Sequence, residues 1–284
     1  MNIDINELKE ISISALKNAY KIHESLGLSG EELIKKNQFG DTTLRVDIEA
    51  EKAVINTLQE RNIPIRIISE EHGTIDITDN PIFLGVLDGL DGSNIYKKER
   101  GKGRYGTMFA IFSGLDPKYN DYIFSGIMEH STRRLFHAFK NKGSFVIEND
   151  NIIPIKCSSC KTLDKETRVY IDEKDNDQKW HPFMKEIFTN KLKGYDLKWL
   201  GSSAVYYADL ASGNADLALE CTRKGNLEIA VAYGLVTESG GVIISLEGTS
   251  LESKKYLEFG QDKYIPVISA ATKELALKLI EYIN

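Results

Sequence analysis

The hydrophobic pattern of the chain changes between two periods, one typical of helices and one typical of strands. Residues 5–26 carry apolar side chains three and four positions apart, which predicts a long amphipathic first helix. A second helix opens at Asp47, and an apolar helix is predicted over 227–239, where a pair of glycines ends it. Further helices are predicted at 178–191, 202–211 and 272–283.

Short apolar runs between these helices predict strands. The run 82–87 is typical of a buried strand, and a loop at 114–121 joins two of the strands that follow it, so we expect an antiparallel sheet with two helices packed on it. The strands are predicted at 63–69, 82–87, 105–113, 122–129, 134–139, 167–171, from Leu197, 215–220 and 265–270. Residues 35–43 and 140–165 are polar and predict loops, the second of which crosses to another layer.

Composition limits the classes of function. The chain has 284 residues and a net charge of −6, with 42% hydrophobic and 27% charged residues, which is ordinary for a globular protein. The negative charge argues against a nucleic acid polymer as partner. No apolar run reaches the roughly 20 residues of a membrane span. The N-terminus lacks the basic and apolar regions of a signal peptide, so we expect a cytoplasmic protein.

The cysteines do not make up a complete metal site. Cys157 and Cys160 form a C-S-S-C pair, and Cys221 stands apart. A single pair of this kind is compatible with a redox role or with half a zinc site. No second pair supplies the remaining zinc ligands, so reduced thiols without a direct role are the favoured interpretation.

The chemistry concentrates after the strand at 82–87, where the sequence reads L-D-G-L-D-G-S-N. The strand delivers Asp88, and Asp91 follows in a turn whose glycines allow a close backbone approach. Ser93 and Asn94 can begin a short helix. Hard cations bind carboxylates and phosphates bind helix N-termini, so this stretch predicts a site for a metal and a phosphate. An ordinary polar turn has the same composition.

Other carboxylates follow predicted strands or open predicted helices. Glu70 and Glu220 each lie at the end of a strand, and Glu228 lies in a first helical turn, where it also complements the helix dipole. Asp47 and Glu51 share one helix face at a spacing that like charges disfavour. A plain helix gains nothing from that pair, although an acid at Asp47 could simply cap the helix.

The segment 97–104 is basic and glycine-rich. It carries Lys97, Arg100, Lys102 and Arg104. A solvated loop is one interpretation, and a loop that grips phosphate or contacts another subunit is the alternative. His72 is interpreted as a solvated side chain with no ligand role.

Three blocks in order resemble a known family. They are G-D-T-T-L-R-V-D-I-E-A-E at 40–51 with S-E-E-H-G at 69–73, L-D-G-L-D-G-S-N at 87–94, and L-E-I-A-V-A-Y-G-L-V-T-E-S-G-G at 227–241. Together they resemble the magnesium-dependent, lithium-sensitive phosphatases. That superfamily includes inositol monophosphatases, fructose-1,6-bisphosphatases and 3′-phosphoadenosine 5′-phosphate phosphatases.

With the predicted elements, the resemblance implies an α/β fold that is a layered αβαβα sandwich. Residues 1–150 would form an N-terminal part with an antiparallel sheet, two helices and the metal and phosphate site. Residues 151–284 would form a smaller C-terminal α/β part with substrate contacts and one metal ligand. A homodimer is usual in the resembled families and is expected here by analogy.

The resemblance also implies a role for each matching residue, with two or three Mg²⁺ per site. The first metal would be held by Glu70, Asp88 and the carbonyl of Leu90. The second would be held by Asp88, Asp91 and Glu228. The phosphate would bind Gly92, Ser93 and Asn94. The sugar or inositol part would contact Gly201, Ser202 and Glu220. The catalytic groups would be Glu70, Ser93 and Asp47.

The implied reaction is hydrolysis of a small phosphomonoester, namely inositol monophosphate, fructose 1,6-bisphosphate or both. Two metal ions would activate a water that attacks phosphorus directly and would stabilise the leaving alkoxide. Glu70 and Ser93 would orient that water, and Asp47 would hold Ser93. No phosphoenzyme is expected.

Two departures from the inositol monophosphatase pattern keep alternatives open. Gly89 stands where those enzymes have proline, and Leu227-Glu228 stands where they usually have Trp-Asp. Fructose-1,6-bisphosphatases carry Glu at the comparable place, which favours sugar phosphates. A 3′(2′),5′-bisphosphate nucleotidase is the first alternative, although those enzymes commonly have Lys-Glu where this chain has Asn94-Ile95. A binding or regulatory homologue that has lost turnover is the second.

Overall fold

The computed structural model describes residues 4–37, 40, 42–99, 102–172, 185–222 and 225–284. The helices are α1 (Ile5–Leu26), α2 (Arg45–Glu60), α3 (Ser93–Glu99), α4 (Ser203–Ala211), α5 (Leu227–Glu238) and α6 (Lys273–Ile283). Strands β1 to β8 are Leu33–Lys36, Thr42–Leu44, Ile65–Ser69, Gly73–Asp76, Phe83–Asp91, Gly106–Ser113, Tyr122–Glu129 and Arg134–Phe139. Strands β9 to β15 are Gly143–Glu148, Asn151–Ile155, Val169–Ile171, Leu197–Lys198, Leu217–Cys221, Val242–Ser245 and Pro266–Ala270. Among the described residues, none of the helices combines the length and the apolar character of a membrane span.

The larger sheet brings two acid-bearing strands side by side. Within the described ranges its strand order is β10-β9-β8-β7-β6-β5-β3-β4. Neighbouring strands are antiparallel except β3 and β5, which run parallel with Ser69 opposite Leu87. Glu70 and Asp88 directly follow these two residues, and the Glu70 N–H donates to the Leu87 carbonyl at 3.2 Å. The parallel pair therefore delivers both carboxylates to one edge of the sheet.

Alternate residues of each strand serve two separate cores, because successive side chains point to opposite faces. Phe109 and Ile111 of β6 face α1 and α2, which cover one side of the sheet. Met108, Ala110 and Phe112 of the same strand face α4 and α5 on the other side. The expected pair of helices on the N-terminal sheet is thus α1 and α2.

The second sheet completes the layers. Its strand order in the described chain is β12-β11-β13-β15-β14, with parallel pairing only at β11. Ala218 and Val267 of this sheet join the core around α4 and α5, whereas Leu219 and Ile268 pack against α6. The layers are α1/α2, sheet, α4/α5, sheet and α6, so the αβαβα prediction is confirmed. α5 is apolar on nearly all of its faces, as expected of a helix that lies between two sheets.

Two predicted loops contain strands. Residues 35–43 were expected to be irregular, yet their ends belong to the antiparallel pair β1 and β2. Residues 140–165 were also expected to be irregular, but 143–155 is the hairpin of β9 and β10. Its turn residues Asn149 and Asp150 have φ of 48° and 63°, as a tight hairpin turn requires. Because β10 is an edge strand, apolar and polar residues alternate only weakly along it. The polar turn therefore dominated the hydrophobic pattern of 140–165. Half of the helix predicted at 178–191 lies outside the described residues, and the described half contains a short π-helix at Ile187–Lys191.

Candidate metal and phosphate site

Three carboxylates from two distant parts of the chain meet at the edge of the larger sheet. Oxygen atoms of Asp88, Asp91 and Glu228 all lie within 4.8 Å of one another. Glu228 reaches this place because α5 begins beside it. The residue before that helix, Asn226, adopts a left-handed conformation (φ 45°), and its side chain donates to the Phe259 carbonyl at 3.0 Å. Asparagine tolerates this conformation better than most residues do.

An irregularity in β5 aims the first two carboxylates. Asp88 pairs with Met108 and Asp91 pairs with Gly106, and the register shifts between these pairs. Such bulges re-aim side chains at the ends of strands. The Leu90 N–H turns back and donates to Asp88 Oδ1 at 2.9 Å, which fixes the orientation of that carboxylate.

Gly89, one of the two departures from the family pattern, has a steric explanation. A Cβ at this position would lie 2.4 Å from the Asp47 carbonyl oxygen and 2.7 Å from Glu51 Cγ. Glycine therefore allows α2 to approach the Asp88–Asp91 loop. The turn at Gly89 is thus closely packed against α2.

Asp91 connects the larger sheet to α4. Its Oδ2 accepts hydrogen bonds from the Ser202 hydroxyl at 2.5 Å and from the Ala204 N–H at 2.7 Å. A carboxylate at a helix N-terminus is stabilised by the helix dipole. Ser202, expected to contact substrate, thus contacts Asp91. Gly92 beside it has φ of 91°, and a Cβ there would lie 2.9 Å from Ser202 Cβ.

Glu70 lies in the same electrostatic environment. Its Oε1 accepts a hydrogen bond from Asn37 Nδ2 at 2.9 Å. The pKa of Glu70 is raised well above its usual value by loss of solvation and then by the charges of Glu228, Glu51, Glu71 and Asp47. The pKa of Asp88 is raised in the same way, by loss of solvation and then by Glu70, Asp91, Glu228 and Glu51. All of these neighbouring charges are negative.

Such a cluster must bind protons or a cation, because buried like charges repel strongly in a medium of low dielectric. The donor set consists of carboxylate oxygens, which are the ligands that Mg²⁺ and other hard cations prefer. The residues therefore fit a divalent hard cation.

Asp47 is the third residue of α2. Its Oδ2 accepts a hydrogen bond from the Leu44 N–H at 2.6 Å and so caps its own helix. Its Oδ1 is buried and has no hydrogen-bond partner among the described residues. Burial raises the pKa of Asp47 well above its usual value, despite the hydrogen bond from Leu44. The expected hydrogen bond between Asp47 and Ser93 is absent from the described structure, since Oδ2 binds the Leu44 N–H and Oδ1 contacts no donor there.

The remaining predicted residues surround the start of α3. Ser93 is half-buried and Asn94 is exposed, and both lie in the first turn of the helix, where N–H groups lack partners within the helix. Gly201 packs against α3, because a Cβ there would lie 2.9 Å from Ile95 Cδ1. Glu220 is buried in β13, opposite Val267, and raises the pKa of Tyr207 on α4 after the larger effect of burial.

Glu51, a residue without a predicted role, holds the segment after β3. This fully buried carboxylate accepts hydrogen bonds from the Ser69 hydroxyl, from the Glu71 N–H at 3.1 Å and from His72 Nδ1 at 2.8 Å. His72, interpreted as a solvated side chain, is therefore only partly exposed and is held by Glu51. The like-charge spacing of Asp47 and Glu51 was the available signal, since a plain helix would not favour it.

Arg104, from the basic segment, is only partly exposed and binds two buried acids. Its guanidinium makes a double hydrogen bond to Asp209, at 2.7 and 2.8 Å, and a further one to Glu129. Burial acts to lower the pKa of Arg104, but these bonds raise it overall. Neither the solvated nor the phosphate-gripping interpretation holds for Arg104. Lys97 and Lys102 are exposed, and Arg100 lies outside the described residues.

Known proteins share this sequence pattern and this fold. A protein named fructose-1,6-bisphosphatase/inositol-1-monophosphatase from Methanothermobacter thermautotrophicus is 27% identical over 237 residues, which is 78% of this chain and 77% of that protein. A bifunctional NADP phosphatase/NAD kinase from Methanocaldococcus jannaschii is 26% identical over 80% of this chain, but the match covers only 42% of that longer protein. The crystal structure of extragenic suppressor protein suhB from Bartonella henselae has a TM-score of 0.77 at 18% identity, over 98% of each chain.

The family itself is shown by a match over nearly the whole sequence. The model of the inositol monophosphatase family matches residues 2–283. The predicted resemblance is thereby confirmed, and the α/β fold agrees with the structural neighbours. The chain belongs to the inositol monophosphatase family, a family of metal-dependent phosphatases.

Proposed function

We propose that this protein is a magnesium-dependent phosphatase of small phosphomonoesters. The observation that carries the proposal is the cluster of Asp88, Asp91 and Glu228, whose oxygens lie within 4.8 Å of one another. Glu70 adds a further carboxylate that raises the pKa of Asp88. Bound Mg²⁺ would supply a Lewis acid for the phosphoryl oxygens and would lower the pKa of water. Two or three ions per site are proposed, held by these residues and the Leu90 carbonyl.

The residues around the cluster have separate tasks in this proposal. Glu70 accepts a proton from the attacking water, and the hydrogen bond from Asn37 holds its carboxylate in place. Ser93 and the N–H groups of Gly92, Ser93 and Asn94 bind the phosphate at the start of α3. Asp47 Oδ1 is a buried acceptor without a hydrogen-bond partner among the described residues, and it is suited to orient a water in the site.

Fructose 1,6-bisphosphate and inositol monophosphate are the substrates that we propose first. Support comes from the relative named for both activities, with which this chain shares 27% identity. Gly201, Ser202 and Glu220 would line the sugar side of the site. Ser202 would act there through its hydrogen bond to Asp91. We keep the homodimer and the cytoplasmic location as proposals by analogy with the family.

A nucleotide phosphate is the second candidate, and Trp199 favours it. This side chain is 46% exposed. A Cβ on Gly201 would lie 3.2 Å from Trp199 Cζ2 and 2.9 Å from Ile95 Cδ1, so the indole lies close to α3. Exposed aromatic rings stack on nucleic acid bases and contribute about 1–3 kcal/mol per base. Two curated relatives are named as bifunctional NADP phosphatase/NAD kinases.

The experiment measures phosphate release from fructose 1,6-bisphosphate, inositol 1-phosphate, NADP⁺ and adenosine 3′,5′-bisphosphate. Mg²⁺ is titrated from zero, and Li⁺ is added in a second series. We expect release that depends on Mg²⁺ and is inhibited by Li⁺, with one substrate preferred. A folded protein that binds Mg²⁺ but releases phosphate from none of them would contradict the enzyme proposal and favour the binding homologue.

Trp199→Ala and Trp199→Phe separate the two substrate classes. If the substrate is a nucleotide, the alanine variant should raise the KM for NADP⁺ about tenfold, since stacking is lost, and phenylalanine should restore most of it. The KM for a sugar phosphate should change little in either variant. An unchanged KM for NADP⁺ in the alanine variant would remove the support that Trp199 gives to the nucleotide candidate.

A further inference from the structure

The peptide group between Gly89 and Leu90 is held at both of its ends. At one end, the hydroxyl of the fully buried Thr107 donates to the Gly89 carbonyl oxygen at 2.7 Å. At the other end, the Leu90 N–H donates to Asp88 Oδ1 at 2.9 Å. A peptide group is planar, so the direction of its carbonyl fixes the direction of its N–H. This peptide group thus connects the Thr107 hydroxyl on β6 to the Asp88 carboxylate.

A histidine stands behind Thr107. His130 Nε2 lies 2.8 Å from Thr107 Oγ1. Because the threonine hydroxyl has one hydrogen and gives it to Gly89, the histidine must be the donor in this bond. The proton of the neutral imidazole is therefore on Nε2. The hydrogen bonds run in one direction, from His130 to Thr107, to the Gly89 peptide group and to Asp88, and bonds arranged in this way strengthen one another.

Packing alone does not explain a histidine at this position. His130 is 2% exposed, and its Nδ1 is buried without a hydrogen-bond partner in the described part of the chain. Its ring lies among the rings of Tyr20, His23 and Tyr105. An apolar side chain would fill this aromatic surrounding without leaving a buried polar atom unsatisfied, which is unfavourable. Donation through Nε2 is what an apolar side chain could not provide.

We propose that Thr107 and His130 are positioning residues of the metal site. They set the orientation of the Asp88 carboxylate through the peptide group of Gly89 and Leu90. The proposal rests on the proposed function, in which Asp88 is a metal ligand. Groups that hold metal ligands in this manner typically change metal affinity by 10- to 100-fold when they are lost.

The test measures Mn²⁺ binding directly, by electron paramagnetic resonance of the free ion, in the full chain. Thr107→Val removes the hydroxyl and keeps the shape of the side chain, and we expect it to weaken Mn²⁺ binding at least tenfold. Thr107→Ser keeps the hydroxyl and should bind within about threefold of the wild type, since the hydrogen bond to Gly89 survives. Circular dichroism checks that each variant is folded.

His130→Phe tests the far end of the arrangement without touching Gly89, and it also serves if Thr107→Val fails to fold. We expect a smaller loss of Mn²⁺ affinity, about three- to tenfold, because Thr107 keeps its own hydrogen bond. His137→Phe is the matched control. His137 lies in β8, is 1% exposed and stacks on Phe145. Both of its ring nitrogens lack hydrogen-bond partners among the described residues. Its replacement should leave Mn²⁺ binding unchanged.

The outcomes separate this inference from the proposed function. Wild-type binding of Mn²⁺ by a folded Thr107→Val protein would overturn the inference and leave the proposed function standing. An equal loss in Thr107→Val and Thr107→Ser, or in His130→Phe and His137→Phe, would also overturn it, because packing would then explain the effect. A wild-type protein that neither binds Mn²⁺ nor releases phosphate would overturn both.

Discussion

Two groups of buried acids in this protein differ in what neutralises them. Glu129 and Asp209 are both buried, and arginines contact them directly. Arg104 binds both residues, and Arg134 approaches Glu129 at 2.8 Å. Asp88 is equally buried, but the neighbouring charges that raise its pKa are those of other carboxylates. The first group is neutralised within the protein, whereas the second requires protons or a cation from outside.

The difference shows that burial of carboxylates does not by itself identify a functional site. A buried ion pair with good geometry is complete, and removing one partner leaves an unpaired charge. A group of carboxylates that raise one another's pKa is incomplete, and such groups are concentrated at functional sites. The two groups lie on opposite sides of Gly106 in the sheet, since Asp91 of β5 and Glu129 of β7 both pair with it. Because one group is neutralised by arginines and the other is not, substitutions in the two groups should have opposite effects.

The largest effect is expected from Asp91→Asn. The substitution removes one of the three clustered carboxylates but keeps an oxygen that can accept from Ser202 and Ala204. We expect phosphate release to fall by at least about a thousandfold, because a proposed metal ligand is lost. Each tenfold change corresponds to about 1.4 kcal/mol of lost transition-state stabilisation. Metal-free stability should be unchanged or slightly higher, because a repelling charge is gone. Turnover assays and thermal denaturation in EDTA measure the two effects, and an active, folded variant would contradict the two-metal mechanism.

Asp209→Asn should act in the opposite way. It leaves the Arg104 guanidinium without the carboxylate that it contacts at 2.7 and 2.8 Å. Breaking a buried ion pair typically lowers the free energy of unfolding by about 3–5 kcal/mol, and we expect the lower part of this range because Glu129 remains. The affinity for Mn²⁺ should stay at the wild-type value at a temperature where the variant is folded. Urea denaturation measures the stability, and weaker Mn²⁺ binding with unchanged stability would reverse our assignment of the two groups.

The sequence indicated these two groups unequally, and the reason is the distance along the chain between their members. Asp88 and Asp91 lie in one short motif after a strand, so local pattern alone indicated them. Glu228 came only from the family resemblance, because nothing local distinguishes it from a residue that complements a helix dipole. Arg104 was assigned to a basic loop, since its partner Asp209 is 105 positions away and no local pattern predicts such a pairing.

The same reasoning applies to the fold. The range of α1 follows from its helical periodicity and those of β6 to β8 follow from apolar runs, and the prediction matched them within one residue. The hairpin of β9 and β10 was missed because an exposed edge strand lacks alternation, as Ile152 and Ile153 show with exposures of 62% and 44%. The role of Thr107 could not be predicted at all, since a threonine in a strand also has an ordinary explanation in β propensity.

The metal-free protein should lose stability as the pH rises. The pKa values of Glu70, Asp88 and Asp47 are raised in the folded state, chiefly by loss of solvation. The folded protein therefore binds more protons than the unfolded chain at pH values above the ordinary carboxyl range near 4, and its stability falls as the pH rises through the folded pKa values. Each unit of pKa shift corresponds to about 1.4 kcal/mol. We expect the melting temperature in EDTA to fall as the pH rises above the ordinary carboxyl range near 4, relative to that of the protein in Mg²⁺.

Asp209→Asn provides the control for this pH dependence. The acids around Asp209 are paired with arginines, which stay charged over this pH range. The slope of melting temperature against pH in EDTA should therefore match that of the wild type. Asp91→Asn should reduce the slope, because Asp91 is among the charges that raise the pKa of Asp88. Identical slopes with and without Mg²⁺ in the wild type would contradict the view that the acid cluster is completed by a cation.

The smallest effect is expected from Gly89→Ala, which tests whether the acid cluster depends on the close approach of α2. The added Cβ would lie 2.4 Å from the Asp47 carbonyl oxygen, so the helix or the loop must move. Overpacking of this kind typically lowers the free energy of unfolding by about 1–3 kcal/mol. Because the loop carries Asp88, Mn²⁺ binding should weaken as well.

Gly114→Ala is the control, since Gly114 has φ of 78° and no atom within 4 Å of an added Cβ. It should lower stability through backbone strain while Mn²⁺ binding stays unchanged. Equal Mn²⁺ affinity in both variants would mean that the carboxylates keep their positions without the support of α2, and that the strand and its bulge alone determine the geometry of the cluster.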